Sequence, residues 1–427
     1  MSEKLIELKS IKKIFRNDPQ QELLVLEDVS FSMCEGEIVA LLGRSGSGKS
    51  TLLRIIAGLI EPTAGEVYYR NKKVNGPVHG IAMVFQSFAL MPWLTVLQNV
   101  ELGLEALGVK KEERRQRALK AIDIVGLDGF ESAFPKELSG GMRQRVGFAR
   151  ALVVEPNLLL MDEPFSSLDV LTSDNLRNDL LELWEEGRAK LKGILLVTHD
   201  IYEAISMADR ILIFDSNPGK ILHDLPVHLP RPRDDELPAF KNLLDKIYTL
   251  MTSSSSDIEA ETKIDLSYRV PDAQVSELIG LLETIEYEEA EGALDFSYLA
   301  EIVQLDVDEL LALTEVLDIL HFTKSQDGGI HLTEAGEKFA NADILEQKKI
   351  FARHLMQYIP LVKRICDVLR KRSNNKVSKK YFLAELEDYF SDEDAERVLR
   401  VIIEWGRFAE LFAYDDNTGK LSLENPE

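Results

Sequence analysis

Cysteine is scarce in this chain, and long apolar runs are missing. Cys34 and Cys366 are the only two cysteines among 427 residues, which argues against a disulfide framework or a zinc site and predicts two reduced thiols. No apolar run approaches the roughly 20 residues that a membrane-spanning helix needs. The opening MSEKLIELKSIKKIF lacks the apolar core and cleavage site of a signal peptide, so a cytoplasmic location is expected.

Positive charge is also in short supply, chiefly towards the C-terminus. The formal net charge is −23, and residues 251–427 hold about 37 acidic residues against about 19 basic ones. Within 257–318 there are about 18 acidic and about two basic residues. Proteins that bind nucleic acid neutralise its phosphates with Lys and Arg, so DNA or RNA is not expected as a partner.

The length of the chain favours two domains, and its periodicity differs between the two parts. From about residue 5 to 222, β-branched runs alternate with amphipathic helical stretches, which predicts βαβ units around a mainly parallel sheet. The runs with the clearest strand character are 37–42, 157–161, 193–198 and 210–214. A Pro- and Arg-rich stretch at 225–238 breaks the pattern, and the serines at 253–256 are expected to form a flexible polar tract.

Beyond about residue 264 the pattern is mostly helical and occurs twice. Each half has three apolar helical stretches followed by two short strand-like pieces around a turn. The helices are expected near 272–286, 296–303 and 307–320, and then near 345–372, 378–390 and 392–405. This outline predicts a mainly α, tandem winged-helix-like domain.

Residues 43–50, GRSGSGKS, fit the pattern of a phosphate-binding loop and lie between an apolar strand and a helical stretch. Backbone N–H groups in such a loop turn towards phosphate, and the following helix adds the positive end of its dipole. Lys49 is expected to reach the β- and γ-phosphates of a nucleotide, and the Ser50 hydroxyl to bind Mg²⁺. The expected nucleotide contacts are Gly43, Ser45, Gly46, Ser47, Gly48, Lys49, Ser50 and Thr51.

An acidic strand end matches this loop at 158–164, LLLMDEP. Asp162 is expected to hold Mg²⁺, directly or through water, and Glu163 to polarise the water that attacks the γ-phosphate. Such a triplet alone could be a solvated turn, but the phosphate-binding loop makes a catalytic role the better interpretation.

A second Gly-rich helix start, LSGGMRQR at 138–145, offers another phosphate-binding N-terminus at Ser139, Gly140 and Gly141. With the two earlier motifs it resembles the ATP-hydrolysing subunit of ABC transporters, over roughly residues 5–235. The resemblance implies an α/β P-loop NTPase fold. It also implies that this signature closes over ATP held by another subunit, either a second copy or a related ATPase.

The resemblance also implies a division of the chain. Residues 1–235 would be the ABC ATPase domain, with a helical subdomain at about 87–155. Residues 236–264 would be a linker, and 265–427 an accessory or regulatory domain.

Further roles follow from the resemblance, residue by residue. Gln86, in MVFQSFALMPW, matches the glutamine that contacts Mg²⁺ or the water and faces the transport partner. Asp169, in Ser167-Leu168-Asp169, matches the loop that communicates between subunits, and His199, in LLVTHD, the histidine that contacts the γ-phosphate. Phe15 is the candidate for stacking on adenine, with a buried core position as the alternative. The expected catalytic set is Lys49, Gln86, Glu163 and His199, and the Mg²⁺ set is Ser50, Gln86 and Asp162.

Two longer phrases resemble a subgroup of these ATPases. Residues 85–105 and 217–234 are similar to importers of the nitrate, sulfonate and taurine type, and IHLTEAGEKFA at 330–340 to an AAA-associated C-terminal domain found on some of them. The implied partners are an integral-membrane permease and, indirectly, an external solute-binding protein, with the ATPase on the cytoplasmic face of the membrane. Nitrate, bicarbonate, sulfonates and taurine all stay open as solutes.

Two other functions compete with an importer subunit. A soluble ABC ATPase of DNA repair or translation would usually carry two cassettes or a coiled-coil insertion, and this chain has one cassette and no sustained heptads. A regulatory ATP-binding protein with a degenerate site is disfavoured by the complete set Lys49, Asp162, Glu163 and His199. For the C-terminal part, a stabilising or dimerising appendage and a regulatory sensor are weighted equally.

Overall fold

The computed structural model describes most of the chain as two compact units. The first comprises residues 1–15 and 24–240, and the second residues 16–23 and 241–427. The described residues are 3–18, 21–166, 168–187, 190–215, 218–256, 266, 268, 270–289, 294–305, 307–326, 329–372, 374–387 and 389–423.

Strands and helices alternate along the first unit, and the last helix of the series begins there and continues into the second unit, to which residues 241–256 belong. In chain order they are β1 (Lys4–Asp18), β2 (Gln21–Cys34), β3 (Glu37–Leu42), α1 (Lys49–Ile56), β4 (Ala64–Tyr69), β5 (Lys72–Lys73), β6 (Ile81–Val84), α2 (Val96–Ala106), α3 (Lys111–Ile124), α4 (Gly140–Leu152), β7 (Leu158–Asp162), α5 (Val170–Glu185), β8 (Gly193–Thr198), α6 (Ile201–Met207), β9 (Arg210–Asp215), β10 (Lys220–Pro226) and α7 (Pro238–Ser256).

A six-stranded sheet in the order β10-β9-β3-β8-β7-β6 forms the centre of this unit. All its neighbouring strands are parallel except β10, which runs antiparallel to β9. β7 and β8 are buried along their whole length, which explains their unbroken apolar sequences. The four predicted strands are confirmed, and their carboxyl ends meet at one edge of the sheet, where ligands bind in such folds.

Two smaller layers complete the unit. An antiparallel sheet in the order β2-β1-β4-β5 carries the N-terminal strands. Helices α2, α3 and α4 pack against one another, and Thr95 closes a capping box at the start of α2. This α/β arrangement agrees with the P-loop fold that the motifs implied.

The second unit is mainly helical. Its elements are α8 (Val275–Glu289), β11 (Leu294–Asp295), α9 (Phe296–Val303), α10 (Val307–Ile319), β12 (Thr323–Gln326), β13 (Gly329–Leu332), α11 (Glu334–Ala340), α12 (Ile344–Tyr358), α13 (Pro360–Lys371), β14 (Lys376–Ser378), α14 (Lys379–Leu386), α15 (Asp392–Phe408), β15 (Ala413–Asp415) and β16 (Lys420–Ser422).

The same succession of elements occurs twice in this unit: helix, strand, two helices, then two antiparallel strands. The first copy runs from α8 to β13 and the second from α13 to β16. Each forms a three-stranded sheet in which the last strand lies in the middle, β11-β13-β12 and β14-β16-β15. The tandem winged-helix expectation is confirmed.

Two local expectations were wrong. The single helix expected near 345–372 is two helices, because Pro360 has no N–H for a continuing helix and starts α13 instead. The expected linker contains helix α7, which includes the serines at 253–256, because apolar residues recur at helical spacing and Ile247 and Met251 are buried. The remainder of that linker, 257–264, lies outside the described residues.

The described residues lack two features. No helix there combines the length and apolarity that crossing a membrane requires. No group of three or more His, Cys, Asp or Glu side chains in those ranges is arranged to hold a metal ion.

Candidate active site

The loop between β3 and α1 has the backbone that phosphate binding requires. Gly48 caps α1 with φ of 96°, a left-handed conformation that favours glycine. At Gly43 a Cβ atom would lie 2.3 Å from the carbonyl oxygen of Phe214, so a side chain cannot be accommodated without rearrangement. The hydroxyl of Ser47 is buried without a hydrogen-bond partner among the described residues, and a phosphate oxygen would satisfy it.

Lys49 points into this loop. Its Nζ donates hydrogen bonds to the carbonyl oxygens of Gly43 at 2.6 Å and Arg44 at 2.8 Å, and lies 3.9 Å from Glu163 Oε1. The residue is only 3% exposed. A buried ammonium group is therefore held at the loop, with one carboxylate at the limit of ion-pair distance.

Ser50 and Asp162 join the loop to the end of β7. Ser50 Oγ donates to Asp162 Oδ1 at 2.7 Å. Burial raises the pKa of the Asp162 carboxyl, the Ser50 hydrogen bond opposes this, and the charge of Glu163 adds to it. A hydroxyl and a carboxylate oxygen are ligands of the kind that Mg²⁺ prefers, and a cation there would offset the cost of ionising Asp162. The residues therefore fit Mg²⁺.

Glu163 is the point where the site residues meet. Gln86 Nε2 donates to its Oε2 at 2.9 Å, and His199 Nδ1 lies 3.5 Å from the same oxygen. The backbone of Glu163 has φ of 43°, and its N–H donates to the carbonyl of Val197 at 3.0 Å. A non-glycine residue in this region of φ is strained, and such strain is common at functional positions.

The charge of Glu163 is stabilised by the groups around it. Burial alone would raise the pKa of this carboxyl, but contact with His199 and the positive charge of Lys49 outweigh that effect and lower the pKa. The group is therefore ionised at neutral pH, as a residue that polarises water must be. The sequence motif indicated Glu163 but gave no sign of its backbone conformation.

A buried hydrogen-bond chain closes the turn that carries His199. Thr198 Oγ1 donates to Glu203 Oε2 at 2.6 Å and accepts from the N–H of Asp200 at 3.0 Å. Burial and the nearby charge of Asp200 raise the pKa of Glu203 to about 7. The motifs did not include Glu203. Its sequence signal was the capping-box pattern Asp200-x-x-Glu203.

The signature residues form a second group. Ser139 caps α4 by accepting from the N–H of Met142 at 3.3 Å, and Asp169 caps α5 by accepting from the N–H of Thr172 at 3.0 Å. A Cβ atom at Gly141 would lie 2.3 Å from the Thr172 methyl carbon, whereas at Gly140 it would be in ordinary contact. Thr172 thus joins the starts of α4 and α5.

Phe15 lies at the surface and not in the core. The residue is 37% exposed, and Lys13 Nζ lies 4.9 Å from the centre of its ring. The core alternative for Phe15 is therefore wrong, and its stacking on adenine stays a prediction. Ser167, the first residue of the matched inter-subunit loop, lies outside the described residues.

An exposed apolar surface follows Gln86 in the chain. Trp93 is 70% exposed, and Phe88 and Ala89 have left-handed backbones, with φ of 48° and 46°. Arg150, on α4, donates to the carbonyl oxygens of both residues. The segment between Gln86 and Trp93 is thus fixed to the helical layer by its backbone.

Comparison with known proteins identifies two families along the chain. The ABC transporter family model matches residues 26–166, and that of the C-terminal AAA-associated domain matches residues 297–415. An uncharacterized ABC transporter ATP-binding protein of Methanocaldococcus jannaschii is 42% identical over 58% of this chain and 91% of its own length. A nitrate import ATP-binding protein of Synechocystis is 42% identical over 57% of this chain and 88% of its own. A taurine import ATP-binding protein of Yersinia pestis is 48% identical over 47% of this chain and 77% of its own length.

Proposed function

Because the chain belongs to the family of ABC transporter ATP-binding proteins and is an ATPase of that family, we propose that it energises the import of a small solute. The observation that carries this proposal is the set of contacts around Glu163. Three side chains of the matched motifs converge on its carboxylate, namely Lys49, Gln86 and His199.

These residues divide the hydrolysis of ATP between them. Lys49 neutralises phosphate charge, Glu163 accepts a proton from the attacking water, and His199 stabilises the γ-phosphate. Ser50, Gln86 and Asp162 would hold Mg²⁺, which would supply positive charge to neutralise the phosphates. The lowered pKa of Glu163 keeps its carboxylate available to the water.

We further propose that two ATPase subunits sandwich two ATP molecules. Among the described residues, Ser139 contacts Met142, and positions 140 and 141 face Leu168 and Thr172, whereas Lys49 and Glu163 lie near each other. Val170 and Leu171, directly after Asp169, are 75% and 76% exposed. Apolar side chains this exposed at a helix start are expected to be covered by a partner subunit.

The surface that follows Gln86 is our candidate for contact with the permease. Trp93 presents a large apolar side chain there, and residues 86–93 lead from it back to the Glu163 contact. A movement of this segment would therefore act on Gln86. The similarity to nitrate and taurine import proteins supports a small anionic or zwitterionic solute and a position on the cytoplasmic face of the membrane.

The accessory unit, residues 265–427 in our division of the chain, is proposed to regulate the ATPase. Its acidic sequence argues against nucleic acid as a ligand, although its winged-helix topology is one that DNA-binding proteins also use. The alternative is a stabilising appendage, and truncation of the chain would distinguish it from a regulatory domain.

Co-purification tests the importer proposal. The tagged chain is isolated from detergent-solubilised membranes of its native cell, and the ATPase rate of the isolated complex is compared with that of the chain alone. We expect a hydrophobic permease in stoichiometric amount and an ATPase rate that responds to it. Recovery of the chain without any membrane protein, at unchanged activity, would contradict a transport function.

A further inference from the structure

Glu203 is a buried carboxyl that the hydrolysis scheme leaves without a role. We propose that Glu203 is a positioning residue, which acts through Thr198 to hold the turn of His199 against Glu163. This inference rests on the proposed function, because it gives His199 and Glu163 their parts in hydrolysis.

The contact between Glu203 and Thr198 is short and shielded from water. Thr198 Oγ1 donates to Glu203 Oε2 at 2.6 Å, and the two residues are 2% and 5% exposed, respectively. A hydrogen bond to an ionised acceptor away from solvent is among the stronger kinds in proteins. It fixes the last side chain of β8, one residue before His199.

The residue after His199 is fixed to the same group. The N–H of Asp200 donates to Thr198 Oγ1 at 3.0 Å, while Asp200 Oδ1 accepts from the N–H groups of Tyr202 at 2.7 Å and Glu203 at 3.2 Å. Both neighbours of His199 are therefore held to the start of α6. The position of the imidazole relative to Glu163, 3.5 Å from Nδ1 to Oε2, follows from this closed turn.

The other end of α6 is also fastened within the same unit. Arg233 donates to the carbonyl oxygens of Ile205 at 2.5 Å and Ala208 at 2.7 Å, and Arg231 to that of Met207 at 2.6 Å. These bonds satisfy carbonyl groups that the helix itself leaves unpaired. The C-terminal end of α6 is held in place. The hydrogen bond that Thr198 donates to Glu203 therefore restrains the turn at His199 and does not displace α6.

The surroundings of Glu203 make its charge responsive near neutral pH. Burial first, and then the charge of Asp200, raise the pKa of Glu203 to about 7, while the Thr198 hydrogen bond and the positive groups of Arg177 and His199 oppose the rise. The ionised form is the better acceptor for the Thr198 hydroxyl. The restraint on His199 should therefore strengthen as the pH rises through this range.

The experiment compares four variants of the full-length chain. Glu203→Leu removes the acceptor, Thr198→Val removes the donor at nearly constant volume, and Glu203→Gln keeps an acceptor oxygen without a titrating group. Glu182→Gln, at an exposed position of α5, is the matched control. Turnover and the KM for ATP are measured from pH 6 to 9, together with thermal stability, in the parent and in a His199→Ala background.

We expect Glu203→Leu and Thr198→Val each to lower kcat by about tenfold or more, with little change in KM, because displacement of a catalytic group affects turnover first. Glu203→Gln should retain more activity than Glu203→Leu. Its turnover should also lose the part of the decline towards low pH that is due to protonation of Glu203. In the His199→Ala background the same changes should have no further effect.

Three outcomes decide the matter. Parental turnover in Thr198→Val, and in Glu203→Leu if that variant folds, would overturn the inference. If His199→Ala loses turnover in the same experiment, the proposed function is left intact. Equal losses with and without His199 would also overturn it, since they indicate a structural role only. If His199→Ala itself keeps parental turnover, the proposed function of His199 fails, and the inference with it.

Discussion

Gln86 Nε2 donates a 2.9 Å hydrogen bond to Glu163 Oε2. A residue at the start of an exposed segment thus touches the carboxylate that we propose polarises water. The contact uses the oxygen that also faces His199. A displacement of Gln86 would therefore change the environment of the proposed catalytic carboxylate.

Replacing Glu163 with Gln is expected to separate binding from turnover. The amide keeps the shape and can still accept from Gln86, but it cannot take a proton from water, so kcat should fall by about 10²- to 10⁴-fold. ATP affinity should stay close to the parent value, and ATP-bound dimers should accumulate. Measurements of phosphate release and of ATP binding, with Glu182→Gln as control, check this. Parental turnover, after contaminating ATPases are excluded, would contradict the assignment.

Ser50→Ala is expected to weaken the Mg²⁺ site. The change removes the hydroxyl that lies 2.7 Å from Asp162 Oδ1, so the concentration of Mg²⁺ for half-maximal ATPase activity should rise by about tenfold or more. Hydrolysis by the parent should stop in excess chelator and return with Mg²⁺. Glu182→Gln, at an exposed position of α5, is the control. An unchanged Mg²⁺ titration in Ser50→Ala would argue against this metal ligand.

Gly140 and Gly141 are expected to differ sharply. Gly141→Ala places a Cβ atom 2.3 Å from the Thr172 methyl carbon, and such overpacking costs about 1–3 kcal/mol of unfolding free energy. Gly140→Asp has room to fold, but its charge would repel ATP held by the partner, so turnover should fall while thermal stability stays near the parent. Chemical denaturation and ATPase rates distinguish the two. Equal stability of both variants would show that Gly141 tolerates a side chain.

Glu203→Gln is expected to raise stability at alkaline pH. The folded-state pKa of about 7 lies above the ordinary 4.5, so the contribution of this group to stability is full below pH 4.5 and is lost as the pH rises to 7. The parent should therefore be destabilised above pH 7 by on the order of 3 kcal/mol relative to the amide variant. Denaturation midpoints at pH 5 and pH 8 test this. A stability difference between variant and parent that stays constant over that interval would refute it.

Truncation after Phe240 tests the accessory unit. This cut keeps the contact between the rings of Tyr202 and Phe240, whose centres lie 4.9 Å apart, and removes the rest of α7 together with α8 to β16. We expect ATP hydrolysis to persist, because every proposed site residue precedes the cut. In the regulatory version, the reconstituted transporter loses its response to salt or solute. Unchanged rates and unchanged responses would leave a stabilising appendage.

The strands and the conformation of the Gly-rich loop before α1 could be predicted because their sequences are under strict geometric demands. Residues 194–197 are all apolar because β8 is buried along its length, and Lys49 follows a glycine loop that few other sites use. The motif at 158–164 likewise indicated Glu163. Its strained backbone was not, since φ of 43° depends on how β7 meets β8.

Other features depend on contacts that local sequence does not show. The serine tract ends helix α7 because buried residues such as Ile247 stabilise the helix before it. Glu203 has the spacing of a capping box, but its carboxylate accepts from Thr198 instead. That partner lies on a strand whose position relative to α6 is set by the tertiary fold.

The contact of Thr172 with Gly141 has a mechanical consequence. Because the threonine methyl fills the space beside the glycine, and the same residue's N–H is bonded to Asp169, neither helix start can shift by an ångström without displacing the other. A displacement of residues 139–141 would therefore also displace residues 169–172. If these two segments face a neighbouring subunit, as we propose, they should approach it and withdraw from it together.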